Sequence, residues 1–166
     1  MRFPKPPSLT GRGRLWLKAI HLSLSVVWLG TAICMNVLRI DRTPEHLEGI
    51  DTAVLSLDHF VIVPASLGAL ITGFLESALT TWGFFRYRWV MLKWFVTVGA
   101  MLYGSLFQAQ WARKLAALSH QLGTSALQDP TYSRLNLAYA VSGLSLIVLL
   151  GSLPLVSVLK PWTRRR

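Results

Sequence analysis

The sequence predicts an all-α integral membrane protein: an antiparallel four-helix bundle with both termini in the cytoplasm. Three observations predict it. Charged residues make up only 14 % of the 166, against about a quarter in ordinary soluble domains. Apolar residues, 52 % of the chain, fall in four runs of about 20 or more, the length a helix needs to cross a bilayer. The 17 lysines and arginines are divided unevenly between the two sets of loops, as the positive-inside rule requires.

The spans are read as residues 15–38, 57–80, 89–109 and 135–159. Residues 1–14 read as a flexible basic arm, broken by Pro4, Pro6, Pro7 and two glycines. Residues 161–166 form a basic tail. The first span is not a cleaved signal peptide, because its apolar core exceeds the usual length of roughly 7–15 residues and further spans follow. Arg2, Lys5, Arg12, Arg14, Lys18, Arg86, Arg88, Lys160, Arg164, Arg165 and Arg166 share one side; Arg39, Arg42, Arg113, Lys114 and Arg134 share the other. The richer side is cytoplasmic, which places both ends of the chain inside. The first outer loop is acidic, with Asp41, Glu45, Glu48 and Asp51. The second, residues 110–134, is expected to carry a short amphipathic helix through Trp111, Leu115, Leu118 and Leu122, lying in the interface plane. Trp82, Trp89 and Trp162 fall where an interfacial aromatic belt belongs.

Other classes drop out. A net charge of +10 carried beside long apolar runs is not the solvated basic face of a nucleic-acid module. The single cysteine, Cys34, excludes an intramolecular disulfide framework and a Cys-rich zinc site.

Small residues let membrane helices approach closely. Ser66, Ala69, Gly73 and Ser77 mark such a face on the second span, and Thr97, Ala100 and Gly104 on the third. Gly99, Gly104 and Gly151 offer an alternative face for a second copy. Ionisable groups inside a span are costly and therefore candidates for function: His21, Asp58, His59, Glu76 and Lys93. At about 1.5 Å rise per residue, His21, Glu76 and Lys93 come to within roughly 6–9 Å of the cytoplasmic surface on three different helices. Asp58 and His59 lie at the opposite end. A neutral imidazole in a bundle is a good ligand for haem iron. His21 is the expected ligand, with His59 the lesser candidate, and bis-histidine ligation by the two is excluded by their depth. Ser25 and Trp28 share the His21 face, and Trp28, Phe74, Trp94 and Phe95 would wall a flat macrocycle. Arg86, with Lys18, Arg88 and Lys93, would meet its propionates. Lys93 and Glu76 are the candidate catalytic pair. The copper pattern is weak, because Cys34 and Met35 are neighbours and diverge by about 100° on a helix.

The run His21-Leu22-Ser23-Leu24-Ser25-Val26-Val27-Trp28-Leu29-Gly30 resembles the His-x6-Trp-x-Gly opening of a group of small bacterial membrane proteins. That group includes the HemJ-type protoporphyrinogen oxidases and the CopD-like copper-resistance proteins. Trp89-Val90-Met91-Leu92-Lys93 is similar to the Trp-x3-Lys opening of a later span in the HemJ type. The resemblance implies functional roles for His21 and Lys93 and haem as cofactor. Pro64, Thr72-Gly73 and Trp82-Gly83 also resemble uncharacterised four-span relatives. The third span lacks the additional histidine of the oxidases, so only those two residues carry over.

The expectation is a multi-pass membrane protein that binds haem b or a related porphyrin, for electron transfer, porphyrin oxidation or haem sensing. One alternative is a transporter of copper or small cations that uses Asp58, His59 and Glu76. The other is a structural or regulatory subunit without a cofactor.

Overall fold

Thr10 starts the first helix by accepting a hydrogen bond from the Gly13 amide at 3.2 Å, the usual service of a hydroxyl at a helix N-terminus. The computed structural model describes residues 9–40, 42–80, 84 and 87–159. Among them the regular structure is helical. Helix α1 spans Gly11–Leu38, so residues expected in the basic arm are already helical at Gly11. A second long helix runs from Leu47 to Leu79: α2 (Leu47–Leu57), a π turn (Asp58–Ile62) and α3 (Val63–Leu79). The third joins α4 (Arg88–Tyr103), a second π turn (Gly104–Gln108), α5 (Ala109–Leu122) and a 3-10 segment (Gly123–Gln128). The fourth is α6 (Pro130–Leu159), with Pro154 inside it. Arg86, Trp82, Trp162, Asp41 and the sequence beyond residue 159 lie outside the described residues.

Each of the four is long and apolar enough to cross a membrane. Contacts place α1 between α3 and α6, and α4 between α6 and α3. The α1–α3 pair is antiparallel: Leu24 packs on Gly68 and His21 on Gly73. So is α4–α6, since Lys93 meets Ser157 and Gln108 meets Ser142. The start of α1 and the end of α6 therefore share one end of the bundle, here the near end. Outward faces carry large apolar side chains, Val26 and Ile33 on α1, Phe95 on α4, Val148 on α6. That distribution fits lipid as the surrounding solvent, where helices associate through their small-residue faces.

The far end is built differently from the expectation. The stripe through Trp111, Leu115 and Leu118 does not lie in the interface plane. It continues the third helix and packs against α2, where Leu115, Leu47, Val54 and Ala126 are fully buried. The reason is α2 itself, which supplies an apolar protein partner and leaves the stripe no need of a lipid surface. His120, expected in a loop, sits on α5 and meets Glu48 at 2.6 Å on the surface.

Under this cap lies a buried charge cluster. The Asp51 side chain is 0 % exposed and accepts from Arg39 Nη1 and Arg42 Nη2, both at 3.0 Å. Its other oxygen accepts from the Tyr132 hydroxyl at 2.7 Å. The guanidinium of Arg39 lies 4.2 Å over the Tyr139 ring and that of Arg42 5.3 Å over Tyr132, cation–π contacts that part-replace lost hydration. Burial, reinforced by the Arg42 charge, lowers the Arg39 guanidinium from its ordinary value against the pull of Asp51; an arginine remains charged even so. Replacing Tyr132 by phenylalanine is expected to destabilise the protein by about 1–3 kcal/mol, because a buried carboxylate oxygen loses its partner. Thermal unfolding of the detergent-solubilised variant measures this.

Candidate functional site

Where α1, α3 and α4 meet in the near half, a cleft opens between α3 and α4. His21, Gly73, Glu76, Trp89, Lys93 and Trp94 are among its lining residues. The three titratable groups expected at one depth thus line one space. The cleft itself holds ≈ 80 Å³, and with the open space before it ≈ 540 Å³.

His21 is held by α3. Its Nδ1 lies 3.0 Å from both the Ala69 carbonyl oxygen and the Thr72 hydroxyl. A carbonyl only accepts, so Nδ1 carries the proton in this arrangement. Thr72 directs its own proton to the Gly68 carbonyl at 2.7 Å, so its oxygen also accepts from His21. Nε2 is then the nitrogen with the free lone pair, and it has no hydrogen-bond partner among the described residues. Gly73 permits the pose, because a Cβ there would stand 3.1 Å from the imidazole Cε1.

Lys93 donates from Nζ to Ser157 Oγ at 2.9 Å, which fixes its ammonium between α4 and α6. Trp94 donates from Nε1 to Ser77 Oγ at 3.2 Å and belongs to an aromatic group with Phe74 and Phe84, ring centroids 5.0–6.2 Å apart. Glu76 faces the same cleft without an ion pair within 4.0 Å among the described residues. Trp89 is buried against the cleft and not part of an exposed belt.

The remaining candidates fall elsewhere. Ser25 donates to the His21 carbonyl of its own helix at 2.8 Å and is not at the cleft. Trp28, seven residues beyond His21, is about 10 Å farther along the axis and packs with Ala65, Ala69 and Ala100. Phe95 turns outward, 72 % exposed, and Lys18 and Arg88 are exposed. Arg86 is among the residues not described. Met35 is buried while Cys34 is exposed, so the two do not converge.

Asp58 and His59 line a second, larger chamber of ≈ 260 Å³ in the far half. Trp28 and its three alanines stand between the two spaces. The sequence reading did not find this chamber. Its one signal is Pro64, in the first turn of α3. Proline cannot donate to the carbonyl four residues back and crowds it, which favours a wider π turn just before it. Among the described residues no group of three or more His, Cys, Asp or Glu side chains is placed to hold a metal ion. No family model matches the chain, and neither a curated protein nor a solved structure matches it significantly.

Proposed function

We propose that this chain is a multi-pass protein of the bacterial cytoplasmic membrane, N- and C-termini inside, that holds haem b or a related porphyrin at the His21 cleft. The observation that carries this reading is the imidazole whose Nδ1 is anchored to a backbone carbonyl while Nε2 stays free, the outer-sphere arrangement common to metal-bound histidines. The residues fit the group. Trp89 and Trp94 provide flat apolar walls beside the imidazole, and the cleft of ≈ 80 Å³ would have to widen along its open seam between α3 and α4 to take a macrocycle. The open seam would leave one edge of the ring toward lipid.

In this reading His21 Nε2 would hold the iron. Lys93, whose Nζ donates to Ser157 Oγ, would serve as second ligand, propionate partner or proton donor. Glu76 accepts or relays a proton within the same cleft. Lys18 and Arg88 would add cations at the cytoplasmic edge. When bound, the macrocycle supplies one-electron chemistry for electron transfer, porphyrin oxidation or sensing. The test is the visible spectrum of the detergent-purified protein expressed with ample haem. A Soret band is expected, and His21→Ala is expected to remove at least nine-tenths of it with the helical signal unchanged. A colourless wild-type protein overturns the reading.

A second reading is transport of copper or another small cation past Asp58, His59 and Glu76. One observation favours it: cleft and chamber lie in the same bundle, and one contact group lines both, with Ala69 at the cleft and Trp28 and Ala100 at the chamber. Trp28→Ala would then raise cation flux into proteoliposomes, which a haem protein has no reason to show.

A further inference from the structure

The far chamber has its own chemistry, and the His21 site does not use it. All four long helices wall it. Two π turns flank it, Asp58–Ile62 and Gly104–Gln108. Each inserts a residue into its helix, which widens the turn and re-aims the side chains that follow; such insertions concentrate at functional sites.

The lining is divided along the axis. Trp28, Ala100, Met101, Leu146 and Leu150 form an apolar part toward the middle of the bundle. Asn36, Asp58, Gln108 and Arg113 lie toward the far end. Beside the donors of His59, Ser105 and the Tyr139 hydroxyl, which also line the chamber, three polar groups have acceptors left to offer. Gln108 directs its Nε2 to Ser142 Oγ at 3.0 Å and to the Tyr139 carbonyl at 3.5 Å, leaving its oxygen unused. Asn36 donates to the Ala32 carbonyl at 2.9 Å, and its oxygen likewise has no donor among the described residues. Asp58 makes no hydrogen bond and no ion pair within 4.0 Å among them. It is the one carboxylate in the lining. Arg113, also in the lining, is exposed and does not close on it.

Unused acceptors around a single carboxylate, above an apolar floor, suit a donor-rich cation. The geometry points to a binding site for a small organic ammonium ion, its charged head on Asp58 and its apolar body between Trp28 and Met101. The volume of ≈ 260 Å³ matches a ligand of on the order of ten non-hydrogen atoms, given about 30 Å³ for a water molecule. Gln108 and Asn36 take up the remaining N–H donors of the head. Arg113 stands at the side of the chamber, where it would meet a carboxylate if the ligand carried one as well.

Isothermal titration of the full chain in detergent tests this with three probes that share one body: 2-phenylethylamine, phenylalanine and 3-phenylpropionate. Asp58→Asn and the chamber-filling Ala100→Phe, in the same micelles, correct for partitioning into detergent. Saturable binding of phenylethylamine at one equivalent is expected, weakened at least tenfold by Asp58→Asn and abolished by Ala100→Phe. Phenylalanine binding with the same dependence on Asp58 also supports the site, since the ammonium is the shared group. Should Ala100→Phe fail to fold, the near-isosteric Asp58→Asn carries the comparison alone. Three results overturn the proposal: no saturable binding of either amine, equal binding by wild type and Asp58→Asn, or binding of phenylpropionate only. His21→Ala is expected to leave the titration unchanged, so the result is independent of pigment binding.

Discussion

Replacing Asp51 by alanine is expected to destabilise the protein by about 3–5 kcal/mol, the usual loss when one partner of a buried ion pair is removed. Among the described residues the cluster holds two guanidinium groups against one carboxylate, with side-chain exposures of 2 % for Arg39, 6 % for Arg42 and 0 % for Asp51. Four of the buried guanidinium nitrogens, Nε and Nη2 of Arg39 with Nε and Nη1 of Arg42, have no hydrogen-bond partner among the described residues. Asp51 is therefore the charge that makes the arrangement tolerable at all. Without it, two like charges face each other in a space of low dielectric, and Tyr132 loses its acceptor. The triple replacement Arg39→Met, Arg42→Met and Asp51→Leu is expected to recover most of the loss, because an apolar cluster of similar volume carries no desolvation cost. Thermal unfolding in one detergent compares the three proteins. A single variant as stable as wild type, or a triple variant no better than the single, would show that the cluster is not what fixes α2 to α6.

The four spans were legible because continuous apolar length is a one-dimensional property of the chain. The far-end extensions were not. Glu48 and Asp51 in α2, with Arg113 and Lys114 in α5, dilute the apolar signal there, and only the packing of one extension on the other explains why both are helical. Depth was legible too: counting 1.5 Å per residue set His21, Glu76 and Lys93 at one level, and the cleft they line is where those helices converge. Face and depth are separate coordinates, and Trp28 shows the difference. Its spacing from His21 gives it the same helix face but places it two turns away, beside the far chamber. The π turns leave almost no mark in the sequence, so the chamber they flank could not be read from it.

Substituting Gly73 by valine is expected to remove pigment binding while the bundle remains folded. The imidazole of His21 lies directly over this glycine, and an added Cβ would approach Cε1 to 3.1 Å. An alanine at 73 asks the ring to yield by a few tenths of an ångström, and the helix itself gains up to about 1 kcal/mol from the exchange. A small drop in haem affinity with unchanged or raised stability is the result for alanine. The branched methyl groups of valine leave no such accommodation. The ring must then turn away from Ala69 and Thr72, which frees Nδ1, and Nε2 no longer presents its lone pair to the cleft. Overpacking costs about 1–3 kcal/mol, while affinity for haem is expected to fall at least tenfold. Gly99→Val is the matched control, since a Cβ at Gly99 on α4 meets nothing within 4 Å; it should leave haem affinity unchanged and stability unchanged or slightly raised. Haem titration followed at the Soret band, beside a melting curve for each variant, separates ring displacement from unfolding. Full pigment binding by the valine variant would mean that the tethered imidazole is not the ligand, however well its tautomer suits the task.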